Sequence, residues 1–261
     1  MAARLKPRTS SLRQVIHRSP PKPIAGSRFA RPLSLGDQIY AILRKRILTG
    51  EVPPGAIIDE RAIAAEFEVS RTPVREAVKK LTDENLVEVK AQSRTLVKPI
   101  NRKLIHEAFL IRRALEVENV SHAAERATKA DIQRLEDVVM LHKLALQRRH
   151  FVEAIKLDDD FHRQIAEISD LPRLWKAIEV SKAHLDRCRY LTVPQPGFGD
   201  ATLVQHHNII KALARNDEAQ SRRMMGDHLD KAYRGIVSFL DVMESELRAN
   251  PSMVQEKGVD D

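Results

Sequence analysis

The sequence predicts a mostly α-helical chain in two parts: three short helices closed by a β-hairpin, then an antiparallel bundle of six helices. Three observations carry this expectation. Apolar residues recur at helical spacing in three short stretches between residues 39 and 83, two short alternating runs follow them, and helical periodicity continues from Asn101 onward with breaks only at capping and turn residues.

Residues 1–32 precede the first pattern. The chain has 44 Lys and Arg against 36 Asp and Glu, a net charge of +8. This first stretch holds eight of the basic residues, Arg4, Lys6, Arg8, Arg13, Arg18, Lys22, Arg28 and Arg31, and no acid, so the remainder is neutral. Pro7, Pro20, Pro21, Pro23 and Pro32 interrupt it, and the composition reads as a disordered basic tail, either a passive extension or a non-specific phosphate-binding arm.

Ile39, Ile42, Leu43 and Ile47 share one helical face, and that helix ends at Thr49-Gly50. Glu51-Val52-Pro53-Pro54-Gly55 cannot continue a helix, because proline lacks the amide hydrogen. A second helix is expected over roughly Glu60 to Phe67 and a third over roughly Arg71 to Asp83. Leu86 to Lys90 and Thr95 to Val97, around Ala91-Gln92-Ser93-Arg94, suit a hairpin, which completes a winged helix-turn-helix over residues 33–99. In the third helix Val74, Ala77, Val78 and Leu81 form the packing face, while Arg71, Arg75 and Lys79 recur every four residues opposite, with Thr72 beside them and Ser70 as a suitable N-cap. Positive side chains and free amides at a helix N-terminus suit entry into a major groove, where arginine pairs with guanine. A solvated surface helix would show the same charges.

From residue 102 six segments are expected, near 102–127, 130–148, 150–169, 172–192, 201–215 and 217–246. Thr128 caps the second, Asp170 and Pro172 open the fourth, and Pro194-Gln195-Pro196-Gly197 separates the fourth from the fifth. Residues 246–261 read as a frayed tail. At 261 residues and 43% hydrophobic composition the chain can bury two cores. It has no apolar run of 18 residues and no secretory leader pattern, so a cytoplasmic protein without a membrane partner is expected. Cys188 is the single cysteine, which fits a reducing compartment and offers no multi-thiolate metal site.

Asp158 and His162 stand at i, i+4 beside the apolar stripe Leu157, Phe161, Ile165 and Ile168. Alone, such a pair is a structural hydrogen bond. Two later helices carry histidines bordering apolar stripes, His206 with Ile209, Ile210 and Leu213, and His228 with Met224, Met225 and Leu229. One carboxylate and three imidazoles suit a divalent transition metal if three helices bring them together; zinc, nickel, manganese and iron all fit this donor set.

Ile57 to Ala64, Val69-Ser70-Arg71-Thr72-Pro73-Val74-Arg75-Glu76-Ala77-Val78 and Asn85-Leu86-Val87 resemble the winged-helix signature of GntR-type transcriptional regulators. The resemblance implies that Arg61 contacts phosphate and groove from the second helix and that Ser70, Arg71, Thr72 and Arg75 lie at the operator. At the wing tip, where the family commonly has glycine, Arg94 is expected, an arginine able to enter a narrow minor groove. Asp158-x-x-Phe161-His162, Gln205-His206-x-x-Ile209 and Met225-x-x-His228-Leu229 resemble the FCD ligand-binding domain of the FadR subfamily over residues 102–245. That resemblance implies a metal held by Asp158, His162, His206 and His228, against the alternative of a metal-free polar pocket, and a six-helix count suggests the shorter, VanR-like form. Arg112 matches a pocket-facing arginine suited to a carboxylate effector; its other reading is an i,i+4 surface pair with Glu116. His207 is expected to be exposed, and His106, His122, His142, His150 and His184 show no spacing that asks for a role.

The function expected is therefore a sequence-specific repressor, homodimeric on a palindromic double-stranded operator, modulated by a small carboxylate at the metal. The alternative is a metal-dependent hydrolase with an accessory DNA-binding domain; the bundle shows no further general base to support it. A helical scaffold without ligand or DNA is a third class. Metal affinity is expected to fall below the usual histidine pKa of ~6.5, because a coordinating imidazole must be neutral.

Overall fold

The computed structural model describes residues 33–90 and 94–249; the basic stretch 1–32 lies outside the described residues. Helix α1 (Leu35–Leu48) starts where Ser34 accepts a hydrogen bond from the Asp37 amide and buries Ile39, Leu43, Ile47 and Leu48. The chain turns through Gly50 and Gly55, whose φ of 78° and 81° strain any residue with a Cβ. Then come β1 (Ile57–Ile58), α2 (Glu60–Glu66), α3 (Arg71–Asp83), β2 (Val87–Lys90) and β3 (Arg94–Val97). Asp59 caps α2 by accepting from the amides of Arg61 and Ala62. Ser70 occupies the N-cap position of α3, but its side chain makes no capping bond, so the α3 amides are left to other partners.

The sheet has three strands in the order β1-β3-β2, one more than the hairpin expected. Two residues are too short to show an alternating pattern, and only pairing of Ile57 and Ile58 with Leu96 and Thr95 makes them a strand. Arg94 is paired with Lys90 as the first residue of β3, so it is a strand residue rather than the tip; residues 91–93 lie outside the described residues. Val74, Ala77, Val78 and Leu81 of α3 close this core with α1, Leu86, Val87 and Val97.

The second part is built from α4 (Arg102–Arg126), α5 (Lys129–Gln147), α6 (Phe151–Ile168), α7 (Pro172–Ser181), α8 (Ala183–Thr192), α9 (Phe198–Leu213) and α10 (Glu218–Ala249). Thr128 and Asp131 form a reciprocal capping box on α5. The six-helix expectation becomes seven, because the segment 172–192 is two helices meeting at Lys182, whose φ and ψ are −86° and 0°. No Pro or Gly signals that break; at it Lys182 Nζ donates to Asp159 of α6 at 2.7 Å and to Asp186, four residues on in α8, at 2.9 Å. The helix count therefore no longer favours the shorter VanR-like form. Helix α10 runs through Ala249, so residues 246–249 are helical rather than frayed, and 250–261 lie outside the described residues.

Helix α8 belongs to both parts. Ala183 is buried in the winged-helix core with Tyr190 packed against it, while Leu185 and Cys188 pack with Ile105, Ala108, Ile236 and Leu240 of α4 and α10. Arg187 Nη1 donates to the Lys98 carbonyl at 2.6 Å, and Arg44 of α1 bridges Glu84 and Asp186 at 2.8 and 3.8 Å.

Candidate metal centre and nucleic-acid interface

Burial of the apolar face of α3 leaves Arg71, Thr72, Arg75 and Lys79 exposed on the other side, with Ser70 exposed at the N-terminus and Arg61 exposed on α2. Glu60 draws the two arginines together: its Oε2 lies 3.5 Å from Arg71 Nη2 and 3.3 Å from Arg75 Nε. Exposed pairs of this kind are worth at most about 1 kcal/mol, so neither guanidinium is held tightly by Glu60. Arg94 is also exposed.

The second site is buried between α4, α6, α9 and α10. Asp158, His162, His206 and His228 each direct one ligand atom into a group whose members all lie within 4.8 Å of one another. His206 Nε2 is 3.4 Å from Asp158 Oδ1, and His228 Nε2 is 3.3 Å from His162 Nε2. His228 Nδ1 donates to Gln205 Oε1 at 2.8 Å, which leaves its Nε2 as a lone pair facing the second imidazole. His162 Nδ1 lies against Glu116 Oε2, which orients that ring likewise, and His206 stacks on Phe161 with ring centroids 3.9 Å apart. Both nitrogens of His206 are buried without a hydrogen-bond partner. Such orphaned nitrogens and opposed lone pairs are costly in a dry interior, and a cation shared by the four groups satisfies them. The residues present fit a metal, and this buried cluster could hold one.

Electrostatics point the same way. Burial pushes His206 well below the usual histidine range, with His228 adding to it, and burial with His162 nearby takes His228 down to about 3. Burial therefore favours the neutral form of both rings, the form in which an imidazole can coordinate. Burial works to raise the Asp158 carboxyl, but Arg189 and the histidines hold it well below the carboxylate range. Arg189 Nη2 donates to Asp158 Oδ2 at 2.5 Å, leaving Oδ1 turned to His206.

Arg112 is buried, not on the surface, and its Nε donates to Glu116 Oε1 at 2.5 Å. Burial opposes ionisation of Glu116, yet Arg112 and His162 lower it to about 2. Arg112 thus pairs with Glu116 in the interior rather than on the surface, and it also lines a cavity of about 50 Å³ reached by Asp158, His228 and Arg189. His207 is exposed, as expected. His142 has a place that the sequence expectation did not give it: it lines the same cavity from α5, at i+7 after the buried Leu135, Val138 and Val139, and that i, i+3, i+4, i+7 spacing was the available signal. The expectation placed Glu116 on the surface and missed Arg189; both are buried charges on helices whose neighbours in sequence are mixed polar and apolar.

The FCD domain model matches residues 107–231, and the model described as bacterial regulatory proteins, gntR family, matches residues 35–97. The HTH-type transcriptional repressor RspR of Escherichia coli is 32% identical over 197 residues, covering 76% of this chain and 86% of that protein. The chain belongs to the GntR family. It is a GntR regulator with an FCD C-terminal domain, binding DNA through its helix-turn-helix; its relatives are transcriptional regulators, which removes the hydrolase alternative. Among solved structures, McbR/YncC of E. coli superposes with a TM-score of 0.70 at 22% identity, covering 80% of this GntR chain and all of that one. A transcriptional regulator GntR from Rhodococcus sp. RHA1 gives 0.65 at 23%, covering 79% and 99%. These two likenesses speak to the fold alone. No helix among the described residues is long and apolar enough to cross a membrane.

Proposed function

We propose that this GntR regulator is a homodimeric repressor whose hold on a palindromic operator changes when a small carboxylate binds at a divalent transition metal in the FCD domain. In this reading residues 33–99 read DNA, through Arg61, Ser70, Arg71, Thr72, Arg75 and Arg94, and residues 102–245 bind ligand and dimerise. Asp158, His162, His206 and His228 hold the ion, and Arg112 receives the effector carboxylate. The observation that carries it is the convergence of those four buried ligand atoms beside a cavity that Arg112 also lines. The E. coli relative RspR is a transcriptional repressor, which supports the sign of regulation.

The ion, when bound, supplies a Lewis-acidic anchor for an anionic group; three imidazoles and a carboxylate accept zinc, nickel, manganese or iron. The protein's own groups do the rest. Gln205 and Glu116 fix the orientation of His228 and His162, Arg189 holds one oxygen of Asp158, and Arg112 stands as a fixed cation at the cavity. An effector weakens DNA binding only as far as it prefers the conformation or dimer geometry that binds DNA poorly, a coupling of about 1–3 kcal/mol in typical cases.

Elemental analysis of wild type and His206→Ala, paired with operator titrations with and without an acid panel, tests this. His206→Ala is expected to lose most bound metal and its response to acids while still binding the operator. Stoichiometric metal in His206→Ala would remove that residue from the site, and a metal-free wild type with full response would remove the metal from the mechanism.

A further inference from the structure

The cavity beside the metal cluster has one buried end and one end near the surface. Arg112, His142, Asp158, Arg189 and His228, at the cluster end, are all buried. The lining residues that solvent partly reaches, among them Val193, Phe198, Thr202 and Ala232, lie where the end of α8 and the start of α9 meet α10. That end is the way in to Asp158 and His228.

Outside the same wall is a second pocket, of about 470 Å³, lined by Pro196, Gly197, Ala201, Gln205 and Lys231. Phe198, Thr202 and Ala232 line both spaces, so these three side chains separate them. Thr202 is pinned, its Oγ1 donating to the Phe198 carbonyl at 3.2 Å, and Ala232 offers a single methyl group. The Phe198 ring is the one side chain of the three large enough to close the passage, and the outer pocket leaves it room to turn. It stands half-buried at the first position of α9, and its edge rests on Gly235 of α10 so closely that a Cβ there would lie 2.5 Å from Cε2 and 2.8 Å from Cζ. The neighbouring aromatic pair is fixed by contrast: Phe109 stacks on Tyr233 with centroids 4.1 Å apart, and the Tyr233 hydroxyl is engaged by His106 Nδ1 at 2.9 Å.

We propose that Phe198 is a gate to the metal centre: seated on Gly235 its ring closes the passage, and a rotamer change into the outer pocket opens it while the backbone of α9 stays in place. This rests on the metal reading above and adds the route by which an ion comes and goes. Rotamer changes are fast, so exchange is limited by the fraction of time that the ring spends off its seat. Burying a phenyl ring favours the seated state roughly ten- to hundredfold, and a half-buried ring belongs at the lower end of that range.

The test is release of zinc from the zinc-loaded full chain into an excess of a coloured chelator, followed by stopped-flow absorbance, together with the equilibrium zinc affinity. Phe198→Ala is expected to release zinc about tenfold faster at unchanged affinity, since a gate governs entry and exit alike. Gly235→Ala is expected to act in the same direction, because the added methyl takes the ring's seat, while alanine suits the interior of α10 better than glycine does. The double variant is expected to match Phe198→Ala, as no ring remains to displace; two independent defects would multiply instead. Unchanged release in Phe198→Ala, faster release matched by an equal loss of affinity, or multiplied effects in the double variant would each overturn the gate and leave the metal reading standing. A wild type that takes up no zinc removes the metal reading and the gate together.

Discussion

Replacing Arg189 with methionine keeps most of the side-chain volume and removes the charge that holds three carboxylates. Arg189 is 7% exposed; Nη1 donates to Asp159 Oδ1 at 2.7 Å and Asp186 Oδ1 at 2.9 Å, and Nη2 to Asp158 Oδ2 at 2.5 Å. In the variant Lys182 still pairs with Asp159 and Asp186, but among these partners nothing replaces the charge at Asp158. Breaking a buried pair from one side costs about 3–5 kcal/mol, since the other charge stays buried. At about 2–4 °C per kcal/mol for 150–250 residues, the melting temperature of the chelator-treated chain should fall by roughly 6–20 °C. The loss should depend on pH. In wild type the carboxyls of Asp158 and Asp159 lie below their usual value, burial opposing and Arg189 prevailing, so they contribute stability above the unfolded pKa of about 3.9 that is lost only as pH falls through the folded values. Without Arg189, only the neighbouring histidines oppose burial at Asp158, so its pKa rises from the wild-type position. The destabilisation is then greatest at neutral pH and shrinks as pH falls from about 5 towards 4. Urea unfolding of both proteins at pH 7 and pH 4.5 measures this. A loss under about 1 kcal/mol at pH 7, or the same loss at both pH values, would refute the reasoning.

Three further outcomes are expected. Arg75→Ala should weaken operator binding by about 1–3 kcal/mol and relax base preference at one position per half-site in a mobility-shift titration, since Arg75 is exposed on the outer face of α3. Leu81→Ala, at a fully buried position where α3 meets α1, should cost about 2–5 kcal/mol of unfolding free energy; a loss below about 1 would mean that core is not packed as described. Burial pushes the Cys188 thiol up to about 12, so at pH 8 only about one molecule in ten thousand carries the thiolate, and iodoacetamide should label it after denaturation but not in the native protein, as a mass measurement would report.

What the sequence determined by itself is what short-range physics writes into it. The apolar face of α3 is visible in Val74, Ala77, Val78 and Leu81 because helical spacing alone puts them together, and Thr128 marks the start of α5 because a cap acts within one turn. The positions of Asp158, His162, His206 and His228 were legible as motifs on three helices, and their meeting needed only that those helices face one another. The tertiary structure decided what depends on partners distant in the chain. Strand β1 exists through Leu96 and Thr95, Lys182 at the break between α7 and α8 is tied to Asp159 of α6, and the orientation of His228 is set by Gln205 on another helix. The neutrality of His206 and His228, the buried pair of Arg112 with Glu116 and the capture of Asp158 by Arg189 all follow from exclusion of water. Desolvation is a property of the packed interior, and no spacing rule along the chain encodes it.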